Sequence, residues 1–306
     1  MVKIIEIGSQ NPWWKHGIEF VQYDHNLQKI EPVFFERKWI EFEKGSIYIL
    51  RGPRQVGKTT YLKSVIRRLI QKGVSARNIL YLSLDFFTSR REMRNAIEYF
   101  LDSTMDSTEI YLFLDEITSL EDWNLELKFI ADQGISKRGV ILATGSSAVK
   151  LKEKGELLPG RGLEGNEYYI KPISFRKFIL QSTDFISRFL KDNEFRVSIK
   201  RLKSLLKKSF IDLSSSLEEI RKEIQKVHQF KKELGYLFQI YLITGGFPGV
   251  INHYLSNRYS KNKEMIEPQV SEIFIRDVLG DLSRLHRQDY SKTDSESNCG
   301  TIRLKI

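Results

Sequence analysis

Ten residues, Arg51–Thr60 (R-G-P-R-Q-V-G-K-T-T), constrain this 306-residue chain more than any other stretch. Gly52, Gly57, Lys58 and Thr59 stand at the G-x-x-x-x-G-K-[ST] spacing of a phosphate-binding loop. Each position has a chemical reason. Glycines let the backbone turn tightly enough to aim its N–H groups at an anion. Lys58 supplies a mobile positive charge for β- and γ-phosphates, and the Thr59 hydroxyl is a hard oxygen suited to Mg²⁺. Pro53, Arg54, Gln55, Val56 and Thr60 complete the cradle expected around the nucleotide. The next helix would aim its positive dipole end at the same phosphates.

The flanks fit. Ser46–Leu50 (S-I-Y-I-L) reads as a short buried strand. Tyr61–Lys72 places Leu62, Val65, Ile66 and Leu69 on one helical face. A chance turn containing glycine and lysine would not need this order of strand, loop and helix.

A second stretch supplies acids. In Glu109–Ile117 (E-I-Y-L-F-L-D-E-I) an apolar run from Tyr111 to Leu114 leads into two carboxylates. A strand apolar on both faces belongs inside a parallel sheet, and such sheets bind ligands at their carboxyl ends. Asp115 is expected to anchor Mg²⁺, and Glu116 to orient and deprotonate an attacking water. Alone, an acidic strand end is a common turn. Downstream of a phosphate loop it carries far more weight.

Gly139–Thr144 (G-V-I-L-A-T) is a further strand, and Thr144 or Ser146 could contact the γ-phosphate or the water. An ordinary helix cap is an equal reading of Ser146 and Ser147. Arg161, between glycines in Leu158–Gly162, suits contact with developing phosphate charge in its own or a neighbouring subunit. A surface salt bridge is the plain alternative there.

The rest of the chain divides by composition. Residues 1–43 precede the nucleotide core as a linker, 44–180 form the core, 181–290 a helical lid, and 291–306 a polar tail expected to be disordered. Asn78–Leu84 reads as a strand, Ser89–Leu101 and Glu121–Gln133 as helices, and Glu167–Ile170 as the last core strand. Trp13 and Trp14 either pack on the core or lie beside the adenine. Helical spacing runs through Phe185–Lys208 and Ser216–Leu234, followed by an apolar helix over Leu234–Thr244. Gly245-Gly246-Phe247-Pro248 then reads as a helix-to-helix turn. Lys200, Arg201, Lys203, Lys207 and Lys208 could form a nucleic-acid or protein surface, or simply a solvated face.

The formal charge of +10 permits nucleic acid or an acidic partner, although Lys and Glu are interspersed through much of the chain. No apolar run approaches the ~20 residues needed to cross a bilayer, and no secretory signal is evident at the start. The one cysteine, Cys299, fits a reducing compartment, so a cytoplasmic location is expected.

Taken in order, G-P-R-Q-V-G-K-T-T, Y-L-F-L-D-E-I, L-A-T-G-S-S, P-G-R-G, K-P-I-S-F-R-K-F and G-G-F-P make a series. It resembles that of the AAA-type ATPases with a C-terminal domain of unknown function, the AAA_14/DUF4143 group. N-P-W-W near the start also resembles archaeal members. The resemblance spans about Asn11 to Leu282. It implies an α/β fold: a P-loop core of the ASCE type with a parallel sheet in the order 5-1-4-3-2, flanked by helices and followed by a smaller helical region. It implies that Lys58 and Thr59 bind phosphate and Mg²⁺, that Asp115 supports the metal and that Glu116 activates water. It puts Thr144 at the sensor position and matches Arg161 to the family's G-R position. Family members commonly continue into further C-terminal structure, so this chain looks truncated against that pattern.

The activity expected is Mg²⁺-dependent hydrolysis of ATP, coupled to movement of the helical region, with a homo-oligomer as one expected form. Alternatives are a slow nucleotide-dependent switch and an ATP-driven remodeller of nucleic acid. A phosphotransferase fits less well, because Glu116 directly after Asp115 suits water as the acceptor.

Overall fold

The computed structural model describes residues 4–28, 30–105, 107, 109–132, 139–145, 166–209, 216–261 and 272. All of these except residue 272 lie in one compact unit, Met1–Met265. Three short helices come first: α1 (Ile4–Gln10), α2 (Trp13–His16) and α3 (His25–Gln28). The core then alternates β1 (Ile47–Arg51), α4 (Lys58–Gln71), β2 (Ile79–Ser83), α5 (Arg90–Ser103), β3 (Ile110–Asp115), α6 (Trp123–Asp132), β4 (Gly139–Gly145) and β5 (Glu167–Tyr169). Five further helices follow: α7 (Phe175–Phe189), α8 (Asn193–Lys208), α9 (Leu217–His228), α10 (Lys231–Thr244) and α11 (Pro248–Ser260).

The five strands are parallel and lie in the order β2-β3-β4-β1-β5, which is the expected 5-1-4-3-2 arrangement read from the other edge. Period-two alternation sends the residues of β1 to β4 to two different cores. Ile49, Leu80, Leu82, Leu112, Leu114 and Ile141 join Met93, Ile97 and Phe100 of α5 and Trp123 and Leu127 of α6. Tyr48, Leu50, Tyr81, Phe113 and Leu142 join Tyr61, Leu62, Val65, Ile66 and Leu69 of α4. Both faces are therefore dry, which is why the strands read as continuous apolar runs. Truncating any one of these fully buried leucines to alanine costs about 2–5 kcal/mol.

The β2 edge would expose unpaired backbone groups, and the N-terminal segment covers them. Asn11 accepts the N–H of Tyr81 at 2.7 Å and donates to its carbonyl at 2.9 Å. Gln10 accepts the N–H of Ser83 at 2.7 Å. The indole N–H groups of Trp13 and Trp14 both donate to the Ile79 carbonyl, at 3.0 and 2.8 Å. Side chains thus stand in for a missing strand. Trp13 is fully buried, edge-on to Phe20, and Trp14 stacks on Phe100. Of the two readings of the tryptophan pair, the structure supports packing on the core. Trp13, with no exposed surface, has none to offer a base, whereas Trp14 is half-buried.

In the helical region, side-chain caps define the starts. Ser174 accepts the N–H of Lys177 at 3.3 Å, and Asp192 accepts those of Glu194 and Phe195 at 2.8 and 3.2 Å. Phe185–Lys208, with its continuous helical spacing, is therefore two helices, broken where Leu190 turns extended ahead of the Asp192 cap. Ser216 and Glu219 form a reciprocal capping box that starts α9. The amphipathic stretch Ser216–Leu234 also splits, so α10 begins at Lys231 rather than Leu234.

The predicted turn at Gly245–Pro248 joins α10 to α11. Gly246 has φ +75°, and a Cβ there would come within 2.6 Å of the Ile173 carbonyl. Its own carbonyl accepts the N–H of Ile173 at 2.7 Å, tying this turn to the segment after β5. Asn252 of α11 accepts the N–H of Val33 and donates to the carbonyls of Ile30 and Val33. The helical region is thereby hydrogen-bonded to the chain that leads into β1.

Candidate functional site

The sheet register brings the site together at one edge. Leu50 lies opposite Thr144, Leu114 opposite Ala143, and Ser83 opposite Asp115. The ends of β1, β2, β3 and β4 therefore meet beside the loop that leaves β1, where parallel sheets gather ligands.

The loop between β1 and α4 is packed tightly against the segment after β5. A Cβ on Gly52 would come within 2.5 Å of the Ile170 carbonyl, so only glycine fits without a shift. Gln55 has φ +57°, a conformation that turns the loop tip. Arg37, from the chain before β1, braces the loop by donating to the carbonyls of Val56 and Lys171 at 2.7 and 2.6 Å. Burial draws its guanidinium down to about 10, which still leaves it charged at neutral pH.

Lys58 opens α4 and is buried. Its ammonium donates to the carbonyls of Gly52 and Pro53 at 3.0 and 3.1 Å and lies 3.6 Å from the Glu116 carboxylate. Thr59, the next residue, donates its hydroxyl to Asp115 Oδ2 at 2.6 Å. Thr60 sits in the same first turn. Glu116 adopts a left-handed conformation (φ +51°) just past β3, which a non-glycine residue takes only under constraint. That conformation carries the chain sharply out of the strand and leaves the Glu116 carboxylate beside Lys58.

Asp115 is almost fully buried and collects three hydroxyls. Thr59 and Tyr81 donate to Oδ2, the latter at 2.8 Å, and Thr144 donates to Oδ1. The Thr144 hydroxyl also accepts the backbone N–H of Glu116 at 3.1 Å. One threonine, fully buried at the end of β4, thus holds both acids of β3 in register.

Lys58, Thr59, Asp115, Glu116 and Thr144 are therefore contiguous, as the sequence motifs require. Ser146, Ser147 and Arg161 lie outside the described residues. The sequence reading missed three neighbours. Tyr81 lies within Asn78–Leu84, which reads as a strand and nothing more. Arg37 stood in a segment without a motif. Asp85 follows β2, and its carboxyl is raised above the ordinary range by partial burial and then by Asp115, an effect that Arg54 offsets. A polar tyrosine inside an apolar strand was the one available signal for Tyr81.

The donor set fits a small divalent cation. A hydroxyl and a carboxylate oxygen 2.6 Å apart, both hard oxygens, are the sparse protein ligation Mg²⁺ takes when phosphate and water supply the rest. The residues present thus match the group that the loop implies.

A phosphate-binding loop feeding a helix, with paired acids at the end of a parallel strand one removed in the sheet, defines a P-loop domain. Residues 44–179 match the family model AAA_14, described as an AAA domain. An uncharacterized protein of Haemophilus influenzae is 31% identical over 139 residues, covering 44% of this chain and 33% of that protein. An uncharacterized protein of Methanocaldococcus jannaschii is 27% identical over 249 residues, covering 80% of this chain and 46% of that protein. The match thus spans about half the length of one relative and a third of the other. Cdc6p from Pyrobaculum aerophilum superposes with a TM-score of 0.42 at 12% identity, over 85% of this chain and 65% of that one. Among the described residues no single helix is long and apolar enough to cross a membrane.

Proposed function

We propose that the chain binds ATP across Gly52–Thr60 and hydrolyses it to ADP and phosphate. The observation that carries this is the convergence of Lys58, Thr59, Asp115 and Glu116: ammonium 3.6 Å from one acid, hydroxyl 2.6 Å from the other. Lys58 now leans on two neutral carbonyls and one carboxylate. A triphosphate offers that ammonium more negative charge than they do, so the site favours such a ligand.

The reaction is phosphoryl transfer to water. A bond forms between the water oxygen and the γ-phosphorus, and the bond from phosphorus to the β–γ bridging oxygen breaks. Glu116 takes the water's proton. Lys58 balances charge that develops on the phosphate oxygens, and Thr144 keeps Glu116 aimed by holding its N–H. Thr59 and Asp115 would hold Mg²⁺, which when bound supplies charge neutralisation at the phosphates. The helical region, hydrogen-bonded to the site's surroundings through Gly246 and Asn252, is the element that nucleotide would move.

The Lys58–Glu116 contact also favours a second reading, a slow switch. A base held by an ammonium is withheld from water until a partner or ligand separates them. The discriminating measurement is ATP binding and turnover of the purified chain beside Lys58→Ala and Glu116→Gln. Loss of binding in the first and of turnover alone in the second support hydrolysis. Wild-type binding without multiple turnovers supports the switch. Unchanged ATP affinity in Lys58→Ala would sink both.

A further inference from the structure

We propose that Tyr81 is a positioning residue for the carboxylate of Asp115, holding it ready for a divalent cation. This rests on the reading of the site as one for Mg²⁺ and ATP. The argument starts from lone pairs. A carboxylate oxygen has two lone-pair directions. Asp115 Oδ2 uses one on the Thr59 hydroxyl at 2.6 Å and one on the Tyr81 hydroxyl at 2.8 Å. A cation bound directly by Oδ2 needs one of those two lone pairs, and lying beside Thr59 it takes the one that now accepts from the Thr59 hydroxyl. Tyr81 is the donor that persists. With Thr144 on Oδ1, it leaves Asp115 no freedom to rotate when the Thr59 bond is given up.

Tyr81 is itself held from several sides. It is 5% exposed, on the edge strand β2. Its backbone is clasped by Asn11. The Lys63 ammonium sits 3.6 Å from the ring centroid, and Trp13 packs edge-on against the ring at 6.3 Å. Lys63 is in turn fixed by Asp24 at 3.4 Å. A hydroxyl that only filled a gap in the core would need none of this alignment toward one carboxylate oxygen. Loss of a hydrogen-bond donor behind a metal ligand costs about 10- to 100-fold in metal affinity.

The experiment is a titration of labelled-ATP binding by the full chain against free Mg²⁺, with an EDTA arm, for wild type, Tyr81→Phe and Lys58→Ala. Tyr81→Phe keeps the ring, its packing and the Lys63 contact, so it retains the fold; thermal melting without ligand checks this. The expected result is a Mg²⁺ midpoint raised about 10-fold in Tyr81→Phe, with affinity in EDTA unchanged. Lys58→Ala should lose binding in both arms. If Tyr81→Phe has a wild-type Mg²⁺ midpoint, whether or not its melting temperature falls, the positioning role is overturned while the nucleotide site stands. If wild type shows no Mg²⁺-dependent binding at all, the site reading and this proposal fall together.

Discussion

Lys58 and Glu116 face one another across 3.6 Å, a cation from the phosphate loop and an acid just past β3. In this arrangement the acid competes with any phosphate for the ammonium. Glu116→Gln removes that competitor and the general base together. ATP affinity should rise by about 2- to 5-fold, the worth of releasing a partly exposed ion pair. Turnover should fall by about 10²- to 10⁴-fold. Binding titrations and single-turnover kinetics read the two effects separately.

Thr144 makes a different prediction. Its hydroxyl is spent on Asp115 and on the N–H of Glu116, so it acts through the two acids. Thr144→Val keeps the shape and removes both bonds. Turnover should fall by about 10- to 100-fold, while ATP affinity without Mg²⁺ stays near wild type. A variant with unchanged turnover would show that the acids hold themselves.

Asn11 tests the covered edge of the sheet. Asn11→Ala leaves the N–H and carbonyl of Tyr81 without the partners that Asn11 supplied, in a buried setting. The expected loss is about 2–3 kcal/mol, read by urea unfolding. An exposed β2 edge should also speed aggregation on mild heating, seen by light scattering.

Alkaline pH should destabilise the fold through its buried tyrosines. Burial pushes Tyr61 up to about 12, and Tyr81, Tyr111 and Tyr259 are raised as well, each with burial as the first cause. The unfolded chain releases these protons near pH 10, whereas the folded chain keeps them. Unfolded molecules thus bind fewer protons above pH 10, and stability falls as pH rises from there. Unfolding midpoints at stepped pH should drop with a tyrosinate absorbance that appears only on unfolding. Tyr61→Phe should flatten part of that fall between pH 10 and about 12.

How much could be read beforehand follows from distance along the chain. The phosphate loop, the acids of β3 and the Gly245–Pro248 turn are local patterns, and their residues announce themselves. The strand order came from resemblance, because apolar runs do not say which neighbour they choose. Asn11 gave no sign of capping the β2 edge, because its partner, Tyr81, lies 70 residues away. Tyr81 looked like core because its link to Asp115 depends on the pairing of Ser83 with that residue, which no spacing reveals. The break at Asp192 was missed for a simpler reason: the cap is one acidic residue among many charges, with neither glycine nor proline to mark it.

The helix α9 buries none of its side chains, yet its start is fixed by the Ser216–Glu219 capping box. Such a helix is a natural handle: with Cys299 replaced by serine, a single new cysteine at Lys222 would carry a fluorophore without touching the packed interior. A signal from that dye on adding nucleotide would turn an otherwise silent stretch of surface into a reporter of what the rest of the molecule does.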